Sequence, residues 1–259
     1  MTAYPAPVRA WSRHWLLYRR TWRGTIVVGL LNPLLFLTGI GIGIGKLVDA
    51  NSGGVAGVAY LSWLAPGILA ASAFQMAFID SGFNVFWEAT PRGSYASAAS
   101  TSLSPTAIML GHQLFAAGRI ALLSVGFVIV QIVLGAAVSV PGTVLSLAAA
   151  LLLGIAVGGV VAAWAITITQ FGTLRAVFRF LIQPVYLVSG TFFPLSAAPL
   201  WARKLAYVSP LWHGVELCRG LSLGTLTAEG LAVHGGVLVA LTVAGLAAAS
   251  VTYRRRLHE

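Results

Sequence analysis

Charged side chains and cysteine are both scarce in this sequence. Asp, Glu, Lys and Arg make up 8% of the 259 residues, whereas they make up about a quarter of an ordinary soluble domain. Hydrophobic residues make up 58%, and so few ionisable groups cannot cover the surface of a soluble chain of this length. The composition therefore predicts a membrane protein. The single cysteine, Cys218, excludes an internal disulfide and a cysteine-based zinc site.

Catalytic and nucleotide-binding motifs are also missing. The six acidic residues are scattered, and neither an HExxH nor a GxSxG arrangement occurs. The glycine-rich segment "TGIGIGIGKLVD" at 38–49 does not match a phosphate loop, because Ile40 stands where the first glycine is needed and Leu47 replaces the hydroxyl residue after Lys46. The five histidines are isolated in the sequence and are not expected to bind a metal. The chain therefore shows no catalytic site or energy source of its own.

Six apolar stretches are long enough to cross a membrane as helices. They cover residues 25–45, 60–82, 119–138, 143–170, 177–194 and 231–253. The third and fourth are separated by "SVPG" at 139–142, which is typical of a tight turn. On these bounds Asp80 and Arg119 lie toward the cytoplasmic ends of their spans, and no ionisable residue lies near the middle of the membrane.

The distribution of positive charge predicts the orientation. An even number of spans places both termini on one side, and twelve of the sixteen Lys and Arg residues then fall on that side. Because cytoplasmic loops carry the excess of Lys and Arg, we expect a multi-pass protein of the cytoplasmic membrane with both termini in the cytoplasm. The net charge of +10 is clustered beside apolar runs, which favours anionic membrane lipids over nucleic acid as a partner.

Residues 1–24 have the pattern of an amphipathic helix. Apolar side chains recur at intervals of three and four, and arginines occupy most of the opposite face. The apolar positions are Val8, Trp11, Trp15, Tyr18 and Trp22. Tryptophan favours the headgroup level of a bilayer, so we expect this helix to lie flat on the inner leaflet. It is either a positive flank that only fixes topology or also part of a docking surface for a cytoplasmic partner.

The segment before the last span, residues 190–224, predicts two short helices. The first covers about 200–207, and the second begins after Ser209 as N-cap, with Pro210 at its first position. The second helix carries a polar stripe of His213, Glu216 and Arg219. We expect a re-entrant hairpin on the outer side, buried in protein or lining a cavity. An ordinary extracellular loop with solvated charges is the alternative.

Two motifs in this region carry a family resemblance. "SGTFFPL" at 189–195 and "SPLWHGVELCRG" at 209–220 closely resemble the signature of ABC-2 transporter permeases, in the branch of nodulation lipo-oligosaccharide and daunorubicin-type drug exporters. "IMLGHQLFAAGR" at 108–119 is similar to the family's entry into its third span. The resemblance implies an all-α integral membrane protein of the ABC-2, type V exporter-like fold. It would be a single permease domain over 1–259, with an interface helix, a cytoplasmic coupling loop at 84–105 and the re-entrant hairpin.

The resemblance also implies a function. The chain would be the permease subunit of an ATP-binding cassette exporter that moves an amphipathic substrate, such as a lipid-linked glycan, a lipid or a hydrophobic drug. It would pair with a second copy or a related permease and bind a separate ATPase subunit, which would hold ATP and magnesium, while this chain binds no cofactor and is not an enzyme. The residues implied in ATPase coupling are Trp15, Arg19, Arg20, Glu88, Arg92 and Tyr95. Those implied in the outer gate and hairpin are Phe192, Phe193, Pro194, Pro210, His213, Glu216 and Arg219.

Two other classes of protein remain as alternatives. A secondary carrier or channel driven by an ion gradient would normally show two related halves, and no clear internal repeat is visible in the sequence. A membrane-embedded enzyme acting on lipids would need polar residues from several spans to converge on one site.

Overall fold

The structure is a computed structural model that describes residues 5–90, 93–101 and 103–258. Within these residues the chain is helical and forms no strand; Val55 and Val58 make one isolated bridge. The α-helices are α1 Ala6–Phe36, α2 Gly45–Ser52, α3 Tyr60–Phe78, α4 Val85–Glu88, α5 Ser94–Ala99, α6 Pro105–Val133, α7 Val140–Ala165, α8 Phe171–Val177, α9 Gln183–Val188, α10 Leu200–Val208, α11 Pro210–Leu223, α12 Ala228–Gly230 and α13 Gly236–His258. Four π-helical segments join consecutive helices, at Leu37–Ile44, Ile79–Asn84, Phe178–Ile182 and Leu231–Gly235.

Six helical segments of the described chain are long and apolar enough to cross a membrane, as the sequence predicted. They are Trp22–Ser52, Tyr60–Glu88, Pro105–Val133, Val140–Ala165, Phe171–Val188 and Ala228–Leu257. We number them as spans 1 to 6. The side on which both termini lie is called the terminal side, and the other is called the opposite side.

The predicted bounds of span 3 were wrong. The apolar stretch predicted a start at Arg119, with the arginine as a boundary, whereas α6 begins at Pro105, after the N-cap Ser104. Arg119 is therefore near the middle of the helix, where it forms an ion pair with Asp80 of span 2. An opposite charge on a neighbouring span offsets part of the cost of burying an arginine, so the residue does not end the span. The expectation that ionisable groups stay near the span ends fails for the same reason.

The first 24 residues do not form a helix of their own within the described chain. Instead α1 runs without interruption from Ala6 to Phe36 and so continues into span 1. It lies along α6 in the same direction, since a Cβ on Gly111 would lie 2.5 Å from the Cβ of Ala10, and one on Gly29 would lie 2.8 Å from Leu123. A single glycine costs a helix only about 1 kcal/mol, so Gly24 does not break it. The segment therefore follows span 3 and does not cross the ends of the spans.

Span 4 is at the centre of the bundle. Its helix α7 packs against α3, α6, α11 and α13. The contact with span 6 is close: a Cβ on Gly245 would lie 2.8 Å from the backbone nitrogen of Val160, and one on Gly159 would lie 3.1 Å from Gly245. Glycine at both positions lets the two backbones approach each other, as small residues do between membrane helices. Spans 1, 5 and 6 keep much of their surface exposed.

The two helices predicted at 190–224 are confirmed as α10 and α11. The Ser209 hydroxyl accepts a hydrogen bond from the backbone N–H of Leu211 at 3.2 Å, and Pro210 occupies the first turn of α11. Helix α11 is antiparallel to α7. Gly214, near the start of α11, contacts Leu153 in the middle of α7, whereas the carbonyl of Leu221, near the end of α11, faces Gly142 at the start of α7. Leu153 is about 20 Å along α7 from its opposite-side end. The depth of this hairpin in a bilayer stays a prediction.

Candidate functional site

Tyr95 of segment 84–105, the predicted coupling loop, is bonded to span 3 through a buried histidine. Its hydroxyl lies 2.8 Å from Nδ1 of His112, whose Nε2 lies 3.0 Å from the backbone carbonyl of Asp80. A carbonyl only accepts, so Nε2 carries the ring proton, Nδ1 accepts, and the Tyr95 hydroxyl donates. The hydroxyl of Tyr253, at the end of span 6, lies 3.4 Å from that of Tyr95. One phenol thus joins the coupling loop to spans 2, 3 and 6.

The Tyr95 hydroxyl is buried, and its protonated form is the one that donates to His112. Tyr95 is 1% exposed. Burial, reinforced by the neighbouring Tyr253, raises the pKa of Tyr95 well above its usual value. The hydroxyl therefore remains a hydrogen-bond donor to His112 at physiological pH.

An ion pair lies beside this contact. The Asp80 carboxylate is fully buried and accepts hydrogen bonds from Arg119 and, at 3.0 Å, from the side-chain amide of Asn84. Its second oxygen has no partner among the described residues. The Arg119 guanidinium also lies 5.5 Å from the ring centroid of Tyr18 in α1. Asp80 and Asn84 belong to the π-helical segment of span 2, a type of distortion that is frequent at functional sites.

Helix α1 also reaches this region. A guanidinium nitrogen of Arg13 lies 3.3 Å from the carbonyl oxygen of Ser94 in the coupling loop. The ring of His14 packs edge-on against that of His112, with centroids 5.1 Å apart. Burial, together with the neighbouring His112 and Arg13, lowers the pKa of His14 to about 3, so the ring is neutral at physiological pH. We call Asp80, Tyr95, His112, Arg119 and Tyr253 the polar junction.

The predicted coupling residues do not form one cluster. Trp15, Arg19 and Arg20 are exposed on α1. The Glu88 carboxylate accepts a hydrogen bond at 3.2 Å from the backbone N–H of Ser94 and so closes the loop onto itself. Arg92 lies outside the described residues. Tyr95 faces the spans and not the loop surface, and the roles of all six residues in ATPase contact stay predictions.

Sequence reasoning missed most of the polar junction. Tyr95 and Tyr253 are 158 positions apart, and no periodicity connects residues at that separation. The opposite charges of Asp80 and Arg119 on neighbouring apolar stretches were the one signal available. They would have suggested a pair between spans 2 and 3 had Arg119 not been taken as a boundary.

On the opposite side, Arg219 joins three elements. Its guanidinium lies 3.8 Å from the ring centroid of Trp63 in α3 and donates to the carbonyls of Trp63 at 3.2 Å and Gly190 at 2.9 Å. A carboxylate oxygen of Glu216 lies 3.4 Å away. Because an arginine presents several donors in one plane, a single side chain bonds α11, span 2 and the turn after span 5.

The other residues predicted for the outer gate and hairpin contact different spans. Phe192 packs against Phe36 of span 1, with ring centroids 5.6 Å apart, and its carbonyl accepts a 2.7 Å hydrogen bond from the Tyr60 hydroxyl. His213 faces span 6, where its Nδ1 lies 2.9 Å from Nδ1 of His234. Phe193 is partly exposed, and Pro194 precedes the short 3-10 turn Leu195–Ala197. The polar residues of α11 thus contact two different spans, with His213 bonded to span 6 and Arg219 bonded to span 2.

Comparison with known proteins identifies the family. A family model described as ABC-2 type transporter matches residues 8–223. The chain belongs to this family. Nodulation protein J of Rhizobium leguminosarum bv. viciae is 28% identical over 251 residues, covering 95% of this chain and 93% of that protein. Nodulation protein J of Rhizobium meliloti (strain 1021) is 26% identical over 254 residues, covering 96% and 93%. That of Bradyrhizobium diazoefficiens is 28% identical over 249 residues, covering 95% and 92%.

The resemblance inferred from the two motifs is therefore confirmed. The chain is a multi-pass membrane permease subunit of the ABC-2 exporter class, with a transport role. The polar junction extends from Tyr95 and Tyr253 at the terminal side to Arg119 in the middle of α6, whereas the cluster around Arg219 lies toward the opposite side of this ABC-2 permease.

Proposed function

We propose that this ABC-2 permease exports an amphipathic substrate across the cytoplasmic membrane, driven by a separate ATP-binding subunit. The terminal side is the cytoplasmic side in this proposal, and two permeases assemble with two ATPase subunits. ATP and magnesium are held by the partner ATPase. The substrate is a lipid-linked glycan, a lipid or a hydrophobic drug.

The attachment of the coupling loop supports this proposal. The loop bonds to α1 through Ser94, to span 3 through His112 and to span 6 through Tyr253. Its outward side remains exposed at Trp87, at Ser97 of α5 and at Ser100, which follows α5. A partner that pushes on this surface would act on three transmembrane elements at once. That is the arrangement that a permease without an ATP site of its own needs.

Site-specific cross-linking tests the partner. Cys218 is the sole cysteine and is fully buried, so an introduced cysteine can be labelled against a low background. Ser97→Cys on the coupling loop should cross-link to an ATP-binding subunit co-expressed with the chain. Ser196 is also exposed but lies on the opposite side, so Ser196→Cys is the matched control and should not cross-link. Cross-linking of both variants, or of Ser196→Cys alone, would overturn the proposed arrangement.

Reconstitution tests the energy source. The chain alone should hydrolyse no ATP, and proteoliposomes that contain both subunits should move a labelled amphiphile only with ATP and magnesium. An ionophore that collapses ion gradients should leave this transport unchanged. Transport that needs a gradient and no nucleotide would instead identify a secondary carrier.

A further inference from the structure

Two arginines in span 5 have no acidic partner. Arg175 and Arg179 lie within Phe171–Val188, and both side chains are exposed. In the described chain the ion pairs are Arg119–Asp80 and Arg219–Glu216, so no carboxylate there neutralises either arginine. Ionisable side chains within a span are costly, and by default they indicate a functional site or reach out to the interface.

The two arginines line one pocket. Its volume is about 480 Å³, and the other lining residues, Gly172, Ala176, Phe178 and Phe180, belong to the same span. The guanidinium of Arg175 lies 5.0 Å from the ring centroid of Phe171, a cation–π contact that restricts its position. Two guanidinium groups one helical turn apart present the paired donors that recognise phosphate or carboxylate. The pocket therefore has the chemistry of an anion site.

A larger apolar groove is adjacent to this pocket, and Phe180 lines both cavities. The groove has a volume of about 720 Å³ and runs between spans 4, 5 and 6 and α10, with walls that include Val160, Leu205 and Leu241. Two polar side chains on its wall, Ser189 and Ser209, are buried and hydrogen-bonded to each other at 3.1 Å. This volume is within the range of small-molecule sites, and the lining suits a hydrocarbon chain.

From this juxtaposition we propose that Arg175 and Arg179 bind the anionic headgroup of the transported amphiphile while its acyl chain occupies the groove. The inference rests on the proposed function and narrows its substrate class to lipid-like molecules with a phosphate or carboxylate head. Span 5 begins at Phe171 on the terminal side, so the headgroup site lies toward the leaflet from which an exporter takes its substrate. The chain then extends toward α10 on the opposite side.

Binding measurements on the full chain in neutral detergent test the headgroup site. The probes are lysophosphatidic acid and lysophosphatidylcholine with the same acyl chain. The wild type should prefer the anionic probe, and Arg175→Gln/Arg179→Gln should bind it roughly tenfold or more weakly, because a hydrogen bond to a charged group contributes up to a few kcal/mol. Arg255→Gln/Arg256→Gln removes the same charge from an exposed part of the terminal side and is the matched control.

The control variant should keep the wild-type preference, and protection of Cys218 from labelling verifies that each variant is folded. Equal affinity of the wild type for both probes would overturn the inference, as would an equal loss in the two double variants. The second result would identify Arg175 and Arg179 as ordinary positive flanks.

Transport distinguishes cargo from bilayer lipid. In proteoliposomes with the ATPase subunit, ATP-driven movement of a fluorescent phosphatidic acid should fall in Arg175→Gln/Arg179→Gln in parallel with binding. If binding falls and transport is unchanged, the site holds bilayer lipid, and the inference fails while the proposed function stands. If the wild-type complex moves no amphiphile with ATP, the proposed function itself fails.

Discussion

Removing one partner of the buried ion pair between spans 2 and 3 should destabilise the permease more than removing both. The Asp80 side chain is fully buried, and that of Arg119 is 13% exposed. Asp80→Asn leaves the guanidinium without a carboxylate, and Arg119→Met leaves a buried carboxylate without a cation. Breaking a buried pair in this way costs about 3–5 kcal/mol. Asp80→Asn/Arg119→Met leaves no unpaired charge and should remain within about 2 kcal/mol of the wild type.

Cys218 provides the assay for this prediction. Because it is the only cysteine and is fully buried, a thiol-reactive fluorophore reports unfolding of the purified chain in increasing concentrations of a denaturing detergent. Glu229→Gln changes an exposed carboxylate that makes no ion pair with the described residues; it is the control and should shift the unfolding free energy by less than about 0.5 kcal/mol. If the two single losses simply add in the double variant, the charges do not interact and the reasoning is refuted.

Three further perturbations test other parts of the structure. Gly111→Ala should separate α1 from α6, because its Cβ would lie 2.9 Å from the backbone oxygen of Pro7. Gly118→Ala, on the same helix, is the control because its Cβ would meet nothing within 4 Å. In the Cys218 assay only Gly111→Ala should lower the free energy of unfolding, by about 1–3 kcal/mol. Tyr95→Phe leaves Nδ1 of His112 without its donor, so the reconstituted complex should keep its ATPase activity but transport less substrate per ATP; an unchanged ratio would show that this hydrogen bond is not used in coupling. His14 stays neutral in the folded chain down to about pH 3 but takes up a proton near pH 6.5 when unfolded, so it lowers stability as the pH falls below 6.5, by about 2 kcal/mol at pH 5. His14→Phe should therefore lose less unfolding free energy than the wild type between pH 7.5 and pH 5. An equal loss in both would show that His14 is not held neutral in the folded chain.

The number of spans and the local helix signals could be predicted from the sequence. Apolar length gives six spans because a bilayer requires internally bonded backbone. Ser209 followed by Pro210 places the start of α11 correctly, since capping depends only on neighbouring residues. The bounds of span 3 failed at Arg119, because whether an arginine ends a span depends on a partner in another helix. The contact of Tyr95 with Tyr253 depends on tertiary packing in the same way.

The proposed headgroup site and its groove could not be predicted from the sequence either. In the amino-acid sequence Arg175 and Arg179 have the pattern of positive charges that flank a span. That neither has a carboxylate partner among the described residues is seen only in the three-dimensional structure. The groove next to them is formed by five separate parts of the chain, in spans 2, 4, 5 and 6 and in the α10–α11 segment. Each part alone is an ordinary apolar stretch.

Span 1 is held by different neighbours at its two ends. Up to Leu30 it lies on α6, whereas Gly41 and Gly45 contact Leu61 and Tyr60 at the start of span 2. Between these attachments lie Pro33, which removes a backbone hydrogen bond, and the π-helical turns that begin at Leu37. Pro33 and these π-helical turns mark the place where the two parts of span 1 can change their relative angle. Because each part has its own neighbours, we expect a force applied at the terminal side to displace the part on α6 while the other part stays against span 2.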